Sequence, residues 1–155
     1  MTVFGKPASA YVAFSKGVAL VILLVGIARL ALSLGGVPNS TTRWLTMNGV
    51  LFFGLFYLAI RVHTTGFGTY KHLLPALVLP CLMLHGVAIT GIVIGMITGR
   101  DNVFTTPEYA FGQDGKTLLH VGAHLVIGIA ASTLINWLMG CLILFITRKL
   151  ARRSA

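Results

Sequence analysis

The side chains in this chain with chemistry to offer are histidines set in apolar surroundings. There are five in 155 residues, and three of them, His85, His120 and His124, fall within long apolar runs. An imidazole in hydrocarbon can ligate a metal, hold a haem iron or carry a proton. His120 and His124 are four apart, which puts both rings on one helix face and suits a shared metal ion. Asp101, Glu108 or Asp114 can then add a carboxylate, although no HExxH pattern fixes a third ligand. His85 and His124 are the pair to weigh for a haem b held between facing helices. Depth argues against that pairing. Counted along its own helix, His85 lies roughly 20 Å below one membrane face and His124 only roughly 9 Å, a mismatch of about 10 Å. His63 and His72 flank a separate loop and are expected at headgroup level.

Residues like these need helices to carry them across a bilayer. The chain is 56% hydrophobic and only 10% charged, with a mean hydropathy of +0.90. Soluble domains carry about 25% charged residues. Apolar runs over 16–34, 44–61, 73–98 and 118–147 are long enough to span, since a bilayer takes about 20 helical residues. The expectation is an all-α integral membrane protein: one domain over 1–155, a bundle of four transmembrane helices, and a polar loop at 99–117.

The last run shows how its helix must face. His120, His124, Gly128, Ser132, Asn136 and Gly140 recur at every fourth position, so they form one small-and-polar stripe. In lipid such a stripe turns toward protein, because a polar group in hydrocarbon has no partner. The third run carries Gly91, Gly95 and Gly99 at the same spacing. That GxxxGxxxG pattern lets a neighbour approach closely. Pro80 is expected to kink this helix. Arg29, near the end of the first run, is expected to snorkel to the interface.

Charge distribution gives an orientation. Lys6, Lys16, Arg61, Lys71, Arg148, Lys149, Arg152 and Arg153 fall on one side of a four-span arrangement, and only Arg43, Arg100 and Lys116 on the other. The excess of Lys and Arg marks the cytoplasmic side. Both termini are therefore expected inside, and the loop holding all three acidic residues outside, in a bacterial-type inner membrane.

Several function classes drop out. The net charge of +9 flanks apolar runs and builds no basic, aromatic-interleaved face for nucleic acid. The 61–72 loop lacks the spacing of a phosphate-binding loop. Cys81 and Cys141 form no CxxC and no external pair of the kind used in disulfide formation. No nucleophile-and-base constellation occurs, and no paired intramembrane carboxylates exist for ion coupling. What remains is a non-enzymatic membrane subunit or homo-oligomer, packing through the glycine and striped faces. The alternatives are a redox, metal- or haem-binding protein using His85, His120 and His124, or a small transporter.

Overall fold

The structure, a computed structural model, describes residues 2–108, 110 and 113–152. Arg153, counted above with the basic residues, lies outside them. Strands β1 (Thr2–Val3) and β2 (Lys6–Pro7) form a small antiparallel hairpin. Helices α1 (Ala8–Leu34), α2 (Asn39–Thr42), α3 (Met47–Thr64) and α4 (Tyr70–Thr98) follow. After the polar loop come α5 (Leu118–Gly122), a π-helical turn over Ala123–Gly128, and α6 (Ile129–Ala151), which run on as one rod. The result is a membrane-type bundle of four long apolar helices.

Threonines start three of the four spans. The Thr46 hydroxyl accepts from the Gly49 N–H, and that of Thr117 from the His120 N–H. At Thr69 a capping box forms, with the Thr69 N–H donating to His72 Nδ1 at 3.0 Å. Each satisfies a donor that a helix N-terminus leaves open. The first span begins at Ala8 rather than near Lys16. Pro7 fits the extended residue before a helix, and nothing in ASAYVAFSK breaks one. At 27 residues α1 is about 40 Å long, so its first turns extend beyond a hydrocarbon core of about 30 Å. Helix α4 continues across Pro80.

α1 packs chiefly on α4, α4 on α6, α6 on α3 and α3 back on α1, closing a ring. Its centre holds the buried Ile22, Leu55, Leu58, Leu73, Leu77 and Ile92. Glycines permit the close crossings: a Cβ at Gly26 would strike Met47 and Val87, and one at Gly54 would strike Val18. Phe4 and Arg148, near the two ends of the described chain, lie at the end shared with the 65–69 turn. There the Phe4 carbonyl meets His72 Nε2 at 3.2 Å, and Arg148 donates to the Gly68 carbonyl at 3.0 Å. This terminal end is opposite the acidic loop.

The glycine face of α4 is covered mainly by the chain's own polar loop, with Leu30 of α1 beside Gly91. A Cβ at Gly91 would hit Phe104, and one at Gly95 would hit Thr105. Asn102 locks the contact, donating to the Gly91 carbonyl at 2.7 Å and accepting from the Phe104 N–H at 3.0 Å. Gly99 makes no such contact. It is the α4 C-cap, at φ +70°, where glycine is favoured because it has no Cβ. The loop folds inward because Val103, Phe104 and Thr105 bury themselves there, while its backbone finds partners such as the Ser33 hydroxyl.

Candidate functional site

The histidines meet where the loop, α4 and the π turn converge. His85 Nδ1 and His124 Nδ1 are 2.9 Å apart, and His85 Nε2 is 3.0 Å from the Ser132 hydroxyl. The His124 ring lies beside that of His120, with centroids 4.9 Å apart. His120 Nδ1 bonds the Gly115 carbonyl at 2.9 Å. A continuous line of polar groups thus runs from the loop into the bundle: His120, His124, His85, Ser132. Beyond it, Asn136 donates to the Ser132 carbonyl at 2.7 Å. Then the polar line stops, for Gly140 packs on Leu73 and Leu55.

The depth mismatch expected from the sequence is corrected by the register. Gly128 lies against His85 and Gly140 against Leu73, twelve residues further along each helix. Position 89 is therefore level with His124, only about 6 Å along α4 from His85. Counting from the ends assumed that both spans begin in one plane. Because the loop folds back along α4, α5 starts deeper than α4 ends. The π turn containing both His124 and Gly128 widens the helix locally, a distortion common at functional sites. Gly128 is needed too, since a Cβ there would lie 2.7 Å from His85 Cε1.

Tautomer logic limits what this line can do. A neutral imidazole has one N–H and one lone pair. If His85 Nδ1 donates to His124, then His85 Nε2 accepts from Ser132, and His124 carries its proton on Nε2. If His124 Nδ1 donates instead, His85 Nε2 donates to Ser132, whose hydroxyl turns to the Ile129 carbonyl at 3.3 Å. His124 Nε2 is then a bare acceptor. Both states satisfy the His85–His124 and His85–Ser132 bonds, and they differ in which nitrogen of each ring carries its proton. The pair holds at most one added proton, since two imidazolium rings would set donor against donor.

His124 also lines a cavity of about 120 Å³ that every span touches: Arg29 from α1, Met47 and Asn48 from α3, Leu84 and Ala88 from α4, with Phe104 from the loop. Arg29 is buried rather than snorkelling. It donates to Asn39 Oδ1 at 2.9 Å, and Asn39 in turn donates to Glu108 at 3.2 Å. The short helix α2 after Pro38 brings Asn39 there, a placement that the local sequence does not signal. A larger concavity, about 660 Å³, is elsewhere: an apolar groove between α1 and α3 lined by Gly17, Val18, Phe53 and Tyr57. It brings together no set of reactive groups.

The remaining candidates are placed as follows. Asp101 and Asp114 both pair with Lys116, and Glu108 bonds Asn39, so none of the three carboxylates joins His120 and His124. Among the described residues no group of three or more His, Cys, Asp or Glu is arranged to hold a metal ion. A haem iron between His85 and His124 does not fit this arrangement. Two axial nitrogens at roughly 2.0 Å each stand about 4 Å apart, not 2.9 Å. His63 and His72 are at the terminal end, remote from the site. Ser132 and Gly128 turn toward His85, and Gly140 toward α3 and α4. No known protein-family model, curated protein or solved structure matches the chain.

Proposed function

We propose that this small four-span membrane protein takes up a small polar molecule in the cavity at His124 and exchanges a proton with it through the His85–His124 pair. One observation carries the reading: His124 stands on the cavity wall and is at the same time bonded to a second imidazole that is itself backed by a hydroxyl. Size limits the ligand. A cavity of about 150 Å³ holds benzene, so 120 Å³ admits a molecule of a few heavy atoms. Arg29, Asn48 and His124 on the walls favour one with acceptor oxygens. The apolar plug at Leu55, Leu73 and Gly140 closes the other half, which suits binding from the loop side better than conduction through the membrane. The basic terminal end is the cytoplasmic side in this reading, so the site opens outward. Gly91 and Gly95 already meet the chain's own loop, and Gly128 and Gly140 meet His85, Leu55 and Leu73, so this reading does not rely on a second copy at those faces.

A second reading rests on the same 2.9 Å. Two imidazole nitrogens bound at right angles to one metal, at 2.0–2.1 Å each, are about that far apart. His85 and His124 would then be the ligands in place of His120 and His124.

The test compares the parent with His124→Gln and Ala88→Leu, which fills the cavity and leaves both histidines in the chain. Small molecules retained through purification are identified by mass spectrometry, and metals by elemental analysis. A molecule retained by the parent and lost in both variants supports the ligand reading. A metal near one per chain, lost in His124→Gln but kept in Ala88→Leu, supports the metal reading. Identical contents in all three sink both.

A further inference from the structure

A second concave site lies at the opposite end, between the ends of α3 and α6. We infer that it is a binding site for the headgroup of an anionic phospholipid. The cavity measures about 510 Å³ and is lined by Val62, His63, Gly66, Gly68, Arg148 and Arg152. Arg148 is held in place: it donates to the Gly68 carbonyl at 3.0 Å, and its guanidinium lies 4.9 Å from the centre of the Tyr70 ring. That plane is fixed for bidentate contact with a phosphate. Arg152 and His63 bring further donors to the same space. Gly66, at φ +63°, makes the turn that leaves it open.

Charge names the occupant. All three carboxylate side chains of the chain are at 101, 108 and 114, at the far end of the bundle. No carboxylate side chain of the protein can therefore neutralise this cavity, which leaves its arginines able to take an anion there. Depth names the source. The residues are in the last turns of two membrane spans, or just beyond them, at the level where lipid phosphates lie. Basic pockets between spans recognise anionic headgroups in this way. Val62 and Ala151 supply an apolar flank for the start of the acyl chains.

The test titrates detergent-purified protein with phosphatidylglycerol, phosphatidylcholine or inorganic phosphate and reads binding by native mass spectrometry. Phosphatidylglycerol should bind at least tenfold tighter than phosphatidylcholine. Arg148→Gln and Arg152→Gln should each weaken it by about fivefold, the loss expected for one cation near a membrane surface. Arg43→Gln, at the opposite end, should leave it unchanged. Arg152 is exposed, so its replacement keeps the test valid even if Arg148→Gln disturbs the fold. Equal affinity for the two lipids, unchanged affinity in Arg152→Gln, or an equal loss in Arg43→Gln overturns the site. Displacement of the lipid by inorganic phosphate at the same concentration overturns the lipid assignment and makes the occupant free phosphate.

Discussion

Replacing Gly128 with alanine is the sharpest probe of the histidine pair, because the three heavy atoms nearest to the added methyl all belong to the His85 ring. They would lie 2.7, 2.8 and 3.3 Å away, and the first two distances are too short for real carbon contacts. The ring must shift, but it is held by bonds of 2.9 Å to His124 and 3.0 Å to Ser132. Side-chain hydrogen bonds between membrane helices are worth about 0.6 kcal/mol on average, and overpacking costs about 1–3 kcal/mol. The expected loss is therefore about 2 kcal/mol. In a His85→Ala background the ring is gone and the methyl has room, so the same change should cost nothing and can gain about 0.5 kcal/mol from the helix preference for alanine. The coupling energy is then about 2 kcal/mol, measured by reversible unfolding of all four proteins in mixed micelles. If the two changes add within about 0.5 kcal/mol, the limit for independent sites, the ring does not occupy this position and the register argued above is wrong.

Three further outcomes follow from other parts of the molecule. Asn102→Ala removes two buried hydrogen bonds and orphans the Phe104 N–H, so it should cost about 1–3 kcal/mol and speed proteolysis within 99–117; an unchanged cleavage rate would show that the loop is held elsewhere. The Asp114 carboxyl is held below its usual range, first by the Lys116 backbone N–H and then by the Lys116 ammonium. Its support for the loop is therefore present above about pH 4 and lost as pH falls through the lowered value, and amide exchange in 113–117, corrected for intrinsic pH dependence, should rise there in the parent but stay flat in Asp114→Asn. A reporter fused to the C-terminus should behave as cytoplasmic and one inserted in the acidic loop as external, and the reverse result would refute the orientation drawn from the basic residues.

The four spans and the stripe were legible in the sequence because hydrocarbon imposes simple requirements. Apolar runs of sufficient length must be helices, and a polar residue every fourth position must turn one face toward protein. The spacing groups Gly99 with the packing glycines, and only the fold shows that it ends α4 as a left-handed C-cap. Partners across the bundle are no more legible. GxxxGxxxG specifies that something comes close to α4; that it is Phe104 and Thr105 of a loop depends on three apolar or small side chains finding burial beside Asn102. The same folding-back sets where α5 begins and so brings His124 level with His85. Counting residues from the ends of the runs cannot reveal this, because it takes each loop to lie outside the membrane. Arg29 shows the limit from another side. Its position predicts snorkelling, yet only packing brings Asn39, ten residues further along the chain, and the cavity to the guanidinium.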